Sequence, residues 1–347
     1  MTAEILDGKA LAAQLRAELA QRATVLADRL GAAPRLAIVR FEEDGPSAVY
    51  VKSVARAAER VGLDPRTVGV PRETRPEAIV AQIEALNGDA SVAGIVVAEP
   101  LPAGFSKSEI AAHIDPAKDV DGASPVSAGW LARGEPRMVP ATALAVLTIL
   151  QRHEITIAGR RAVVVGRSAV IGRPVAQLLI GADATVVVCH TGTADLGAET
   201  RRAEILVVGA GRPGLIGPDM VSPGCVVIDC GITTTPEGVV GDVEFNAVRE
   251  VVAAITPVPG GVGPVTSMMV VAQAVAAAER AAAVAAAIAE RQSGRGIPFC
   301  EELVRRSFGV FFAREAERER EEKAGSVLVT PDDIRAEQAR ARQRQRR

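Results

Sequence analysis

The sequence predicts an α/β protein built as two α/β domains, with an extra helical tail at the C-terminal end. Short apolar strands alternate with helical patterns in two separate rounds. A stretch rich in Pro, Gly and Asp over residues 100–137 divides the rounds, and 347 residues exceed one ordinary domain. With 48% hydrophobic but 3% aromatic residues, the expected core is large and aliphatic. A net charge of −2 gives no global reason to expect nucleic acid or a membrane surface as partner. Cys189, Cys225, Cys230 and Cys300 lack zinc-type spacing and read as reduced, buried residues of a cytoplasmic protein. His113, His153 and His190 are scattered, so no metal site is expected, and no signal peptide is visible.

Residues 7–31 place Ala, Leu and Val at helical spacing and predict a helix. A strand at 34–39, a loop at 42–46 and a helix over 47–61 that stops at Gly62 follow. A strand at 67–70, a helix at 76–86 and a strand at 92–97 complete the round. Continuous apolar strands imply a parallel sheet covered on both faces. Residues 100–137 read as mostly irregular, and a helix over 141–153 leads away from them. The second round has a strand at 161–165, a helix at 174–181, and strands at 184–188, 205–208 and 226–228. A long Ala/Val-rich helix spans 267–291. Its stretch 270–288 is the one candidate membrane span, but Gln273, Glu279 and Arg280 make it read as a buried amphipathic helix.

Beyond about residue 294 the composition changes, with four of the seven Phe falling in 299–312. The stripe of Phe299, Leu303, Val304, Phe308, Phe311 and Phe312 suits packing on its own protein or on a protein partner. The charged run 314–323 and the arginine-rich end 335–347 read as solvated, because stacking aromatics for RNA are missing from the latter.

Function is concentrated in the run Thr256–Thr266, which holds three prolines and three glycines. Proline fixes φ and removes donors, while glycine lets a backbone approach a ligand closely. Such a loop suits a flat ligand lying against main chain, although a plain strand-to-helix turn has the same composition. As a string it resembles the P-G-G-V-G-P signature, followed by Met or Phe and then Thr, of the methylenetetrahydrofolate dehydrogenase/cyclohydrolase (FolD-type) family. The resemblance covers roughly residues 1–290. It implies two α/β domains flanking a cleft: a folate domain over 1–140 completed by the helix 267–291, and a Rossmann-type NADP-binding domain over 141–266. Residues 292–347 remain as an appended tail. A homodimer and tetrahydrofolate substrates are also implied, with Pro259, Gly260 and Gly263 lining the substrate side.

Residues 162–174 read as a strand, a Gly-containing turn and a helix, the arrangement that offers helix N–H groups to phosphate. The spacing Gly166, Ser168, Gly172 is not G-x-G-x-x-G and is weak alone. It resembles the family's G-R-S-x-x-V-G-x-P segment, with Ile171 replacing Val, and residues 188–193 resemble its C-H-S-x-T stretch. The resemblance assigns an adenosine 2′-phosphate to Arg167 and Thr191, and further cofactor contacts to Gly166, Ser168, Gly172 and Ile232. A guanidinium and a hydroxyl suit a dianionic phosphate. The segment has no acidic residue of the kind NAD-preferring sites place after the second strand, so NADP is the expected cofactor.

Residues 47–56 resemble the family's S-x-x-Y-V-x-x-K segment, which places Tyr50 in the folate cleft but puts Val54 where the family has its lysine. Lys52 points elsewhere on the helix and reads as solvated. The family's Q-L-P-L-P is Ala98-Glu-Pro-Leu-Pro102 here, so the glutamine is lost as well. Glu99 reads either as a substitute acid or base or as a solvent-facing carboxylate. Residues 118–122 match K-D-V-D-G, assigning the pterin contact to Asp121, whose carboxylate accepts hydrogen bonds from an amino-pyrimidinone edge. Ser127 stands for the usual Asn and residues 140–143 for P-C-T-P, a drift in the cleft floor. Hydride transfer chiefly needs two carbons held close, whereas hydrolysis of a methenyl cation needs proton transfer. The expectation is an NADP-dependent dehydrogenase with cyclohydrolase activity reduced or lost. An NADP- and folate-binding pseudoenzyme and an oxidoreductase acting on another substrate stay open as alternatives.

Overall fold

A computed structural model describes residues 2–41, 46–102, 104–236 and 238–292. The expectations for the loop 42–45, for Cys300 and for the tail from 293 onward lie outside the described residues.

The chain opens with a two-residue strand, β1 (Glu4–Ile5), and α1 (Gly8–Leu30). The Asp7 carboxylate caps α1 by accepting from the Lys9 and Ala10 N–H groups at 2.8 and 3.1 Å. Gly31, at φ 74°, closes it. Then come β2 (Arg35–Arg40), α2 (Pro46–Val61), β3 (Asp64–Gly69), α3 (Pro76–Gly88) and β4 (Val92–Val97). The three longer strands form a parallel sheet ordered β3-β2-β4. On one face Ala37, Val39, Ile95 and Val97 pack with Ile79 and Ile83 of α3, while Leu36, Ile38 and Val96 are equally buried on the other. Both faces are covered, as unbroken apolar strands require. Along α2 the buried residues are Val51, Val54, Ala58 and Val61, one stripe at helical spacing.

The stretch expected to be irregular contains two short helices, α4 (Lys107–Ala111) and α5 (Pro125–Ala132). Serine caps explain both. Ser106 and Glu109 form a reciprocal capping box, and the Ser124 hydroxyl accepts from the Ser127 N–H with Pro125 in the first turn. After α6 (Ala141–Arg152) the second round runs β5 (Arg161–Val165), α7 (Gly172–Gly181), β6 (Thr185–Cys189), α8 (Leu196–Thr200), β7 (Ile205–Val208) and β8 (Val226–Asp229). A hairpin, β9 (Thr233–Thr235) with β10 (Gly238–Val240), precedes α9 (Phe245–Val248), β11 (Ala254–Ile255) and α10 (Val262–Gln292).

The second sheet has the order β1-β11-β8-β7-β5-β6, and every pairing is parallel. Residues 4–5, read from sequence with the first round, pair instead with β11 of this sheet. Conversely, α10 packs on first-round elements. Leu26 of α1 lies against Ala278 and Ala282, and Arg22 pairs with Glu279 at 2.6 Å. Gln273 reaches the Val120 and Val139 backbone, and the Ser267 and Ser53 hydroxyls meet at 2.9 Å. The segment Val262–Ala289 is long and apolar enough to cross a membrane, and half of its most apolar window is buried in the body. α10 starts at Val262 rather than 267, because the first turn's N–H groups have no helical partners and Pro264 sacrifices nothing there.

Candidate active site

The segment following β4 and the first turns of α2 and α4 bring Tyr50, Lys107 and Asp121 together. Within Lys118–Gly122 the side chains divide. Lys118 donates to the Leu86, Asn87 and Asp89 carbonyls at 3.2, 2.7 and 2.8 Å, turned into the scaffold. Burial pushes its ammonium pKa down. Asp119 is fully buried and accepts from the Ala123 and Ser124 N–H groups and the Ser127 hydroxyl at 3.0, 2.9 and 2.6 Å. Burial raises its pKa, and these hydrogen bonds oppose the rise. Ser127, read as drift, therefore holds the loop. Gly122, at φ 60°, has no room for a side chain, since a Cβ would lie 2.2 Å from the Val139 carbonyl carbon. With its neighbours fixed in this way, Asp121 is the member left to meet Lys107 and Tyr50.

Asp121 meets Lys107, whose Nζ lies 2.5 Å from its Oδ2, and the two side chains are only 18% and 11% exposed. Burial works to lower the Lys107 pKa, but the Asp121 charge and hydrogen bond outweigh it, with Glu99 and Asp119 adding, and the net shift is upward. Tyr50 is half-buried; burial and then the Asp121 charge push its phenol well above the usual value. Val54 and Ala98 are buried apolar residues, and Lys52 is exposed as the sequence suggests. Glu99 is exposed, yet its charge acts on Lys107. Sequence reasoning missed Lys107. Its signal was faint: a lysine, in a chain that otherwise favours arginine, beside a capping serine.

The proline- and glycine-rich loop leaves β11 at Thr256, whose Oγ1 accepts from the Asp229 N–H at 2.8 Å. It turns on a Gly261 N–H to Pro257 carbonyl bond of 2.8 Å. Close packing dictates glycine here. A Cβ on Gly261 would lie 2.6 Å from the Pro257 oxygen, and one on Gly8 would lie 1.7 Å from the Gly261 oxygen. Gly260, at φ 114°, packs beside the Lys9 side chain. Pro259 and Gly263 are exposed on the loop and on the first turn of α10.

At the C-terminal ends of the six-stranded sheet, β5 lies between β6 and β7, the switch point at which open α/β sheets bind ligands. Gly166, at φ 120°, follows β5; a Cβ there would lie 2.3 Å from the Gly209 oxygen, and one on Gly172 would lie 2.1 Å from the Gly166 oxygen. The Ser168 hydroxyl accepts from the Ile171 and Gly172 N–H groups at 3.1 and 3.4 Å. Arg167, Thr191 and Ile232 are exposed at the same end of the sheet. Two buried carboxylates fix the surrounding loops. Asp229 accepts from the Gly231, Asp242 and Val243 N–H groups at 2.8, 3.1 and 3.0 Å. Asp242 accepts from Ala210 and Gly211 at 2.6 and 2.8 Å. Burial raises the Asp229 pKa to about 6, against its hydrogen bonds and with help from the Asp242 charge. A glycine turn that excludes side chains, beside an exposed guanidinium and hydroxyl, fits a phosphate-bearing dinucleotide.

Fold and site thus define an α/β protein of two parallel sheets, with a dinucleotide-type sheet end on one and a Tyr–Lys–Asp cluster beside the other. Comparison with known proteins agrees. Residues 6–121 match the tetrahydrofolate dehydrogenase/cyclohydrolase catalytic domain, and residues 140–282 match the NAD(P)-binding domain of the same family. The chain is 46% identical over 270 residues to the bifunctional protein FolD of Chloroflexus aurantiacus, covering 78% of this chain and 95% of that one. The crystal structure of the bifunctional enzyme FolD from Campylobacter jejuni superposes with a TM-score of 0.78 at 39% identity, covering 80% and 99% of the two chains. The Trypanosoma brucei FolD structure, complexed with NADP cofactor and inhibitor, gives 0.77 at 36% identity over 81% and 98%. The chain belongs to the tetrahydrofolate dehydrogenase/cyclohydrolase family.

Proposed function

We propose that this protein oxidises 5,10-methylenetetrahydrofolate to the 5,10-methenyl form with NADP and, against the expectation drawn from Val54 and Ala98, also hydrolyses that product to 10-formyltetrahydrofolate, a reading supported by relatives named as bifunctional. The observation that carries the reading is the continuity of Thr256–Thr266 with both sides of the cleft. Thr256 is tied to Asp229 at the end of the six-stranded sheet, and the helix that follows is tied to Ser53 and to the Val120 carbonyl beside Asp121. One rigid loop and helix thereby join the cofactor side to the folate side.

In this reading Asp121 accepts hydrogen bonds from the amino-pyrimidinone edge, and Tyr50 bounds the pterin. Pro259, Gly260 and Gly263 present backbone to the substrate. Gly166, Ser168 and Gly172 form the dinucleotide turn, Ile232 flanks it, and Arg167 with Thr191 takes the 2′-phosphate. NADP, when bound, supplies the hydride acceptor; the protein's task is to hold the donor and acceptor carbons close and exclude water. The pseudoenzyme reading finds no support among relatives named as bifunctional enzymes. The same proposal includes a cytoplasmic location and a homodimer. Among the described residues the outer edge of β6 has no strand partner, and it and the 60%-exposed Ile180 beside it suit a second copy.

The test is NADPH formation by the purified full chain with methylenetetrahydrofolate, beside hydrolysis of methenyltetrahydrofolate and a parallel run with NAD. Turnover with NADP at rates ordinary for such enzymes is expected. Absence of NADPH formation by a folded protein overturns the reading.

A further inference from the structure

Hydrolysis of a methenyl cation requires a group that takes a proton from water and returns one to the leaving nitrogen. Among the described residues five titratable side chains border the cleft: Tyr50, Glu99, Lys107, Asp121 and Lys9, which packs beside Gly260 but is exposed. Tyr50 holds its proton far above neutrality, since burial and the Asp121 charge both oppose the phenolate. Glu99 is exposed. Asp121 is committed to the pterin in the function proposed above, on which this inference rests. Lys107 remains. It is rooted by the Ser106–Glu109 capping box at the start of α4 and reaches the cleft with little exposure.

We propose that Lys107 is the proton-transfer group of the cyclohydrolase step, supplied from α4 rather than from α2, where Val54 stands. The ammonium bonded to Asp121 is the resting state. A pterin edge that engages Asp121 withdraws that support and brings the cationic methenyl group close. Burial then favours the neutral amine. The Lys107 amine takes a proton from water as the water oxygen bonds the methenyl carbon. The resulting hydroxyl intermediate collapses to the formyl group: the bond from that carbon to N5 breaks with its electron pair on N5. N5 receives the proton held by Lys107, and the hydroxyl proton leaves to solvent as the net proton released.

The decisive variants are Lys107→Arg, which keeps a cation against Asp121 but holds its proton, and Lys107→Met, which removes both functions. Each is made in the full chain, with folding checked by circular dichroism and NADP binding. In both, the ratio of cyclohydrolase to dehydrogenase rate is expected to fall by about 10²–10⁴-fold. A Lys107→Arg protein whose ratio equals wild type overturns the proposal, because neutralising Asp121 would then be the lysine's whole task. Wild-type protein that forms NADPH but leaves methenyltetrahydrofolate at its spontaneous rate also overturns it, while the dehydrogenase reading stands. Wild-type protein without either activity sinks both.

Discussion

Gln273 lies at the joint between the long helix α10 and the substrate-side loop, and its removal tests whether that joint positions Asp121. Its Nε2 donates to the Val120 and Val139 carbonyls at 2.8 and 2.9 Å, and its Oε1 accepts from the Val139 N–H at 2.8 Å. The residue is 4% exposed, so in Gln273→Leu water has little access to the three backbone groups left behind. Each buried group without a partner costs about 1–3 kcal/mol, giving roughly 3–6 kcal/mol once small backbone shifts recover part of the loss. The apolar surface of leucine returns about 1–2 kcal/mol. The net loss of about 1–5 kcal/mol is a sizeable share of the 5–15 kcal/mol typical of a domain. At roughly 2–4 °C per kcal/mol it lowers Tm by about 2–20 °C. Urea unfolding followed through Trp130, the one tryptophan of the chain, reads the stability. The KM for methylenetetrahydrofolate reads the site, and it is expected to rise because Val120 precedes Asp121. Gln273→Glu is expected to be worse, since a buried carboxylate then faces two carbonyl oxygens. A Gln273→Leu protein as stable as wild type, with folate KM unaltered, refutes the reasoning.

Three further outcomes follow from the same geometry. Asp229, raised from the ordinary 3.8 to about 6, is expected to show a carboxyl carbon titration near 6 by NMR. Because the folded state binds this proton more tightly than the unfolded chain, its stabilising contribution is complete below about pH 4 and lost as pH rises through about 6; a titration at or below 4 refutes it. Gly172→Ala forces a Cβ to within 2.1 Å of the Gly166 oxygen, so NADP affinity measured calorimetrically should fall at least about tenfold. Gly181→Ala, with open space around the new Cβ at the end of α7, should leave affinity unchanged and raise Tm by about 1–4 °C. Arg167→Gln should raise the KM for NADP about 10–100-fold while leaving that for NAD near its starting value, consistent with about 1.5–3 kcal/mol for a charged hydrogen bond. Equal effects on both cofactors would remove Arg167 from the 2′-phosphate.

Much of the scaffold was legible because β4, β5 and β7 are continuous apolar runs bounded by turns, a pattern few other structures satisfy. The short strands β1 and β11 were not. Two residues carry no period, and they become strands only because a neighbouring edge accepts them. The start of α10 was misplaced for a related reason: glycine and proline density signals a loop, yet the first helical turn tolerates both. At the site, Tyr50 and Asp121 were legible through motif spacing, and the structure brings them to one cluster. Lys107 was not, since its approach to Asp121 depends on how the segment after β4 folds back. The serine that replaced an expected asparagine looked like decay and proved to be a ligand of Asp119, a role visible only in three dimensions.

The pairing of Glu4 with Ala254, together with the return of α10 to α1 and α2, has a consequence for biosynthesis. On the ribosome, the three-stranded sheet emerges early but lacks its covering helix until nearly the whole described chain has been translated. β1, made early, meanwhile waits for the edge of β11, which emerges only at Ala254–Ile255. Neither lobe can therefore finish as an autonomous unit during synthesis. Truncation after residue 260 should yield a nascent chain that stays protease-sensitive and dependent on chaperones, even though both sheets have been made.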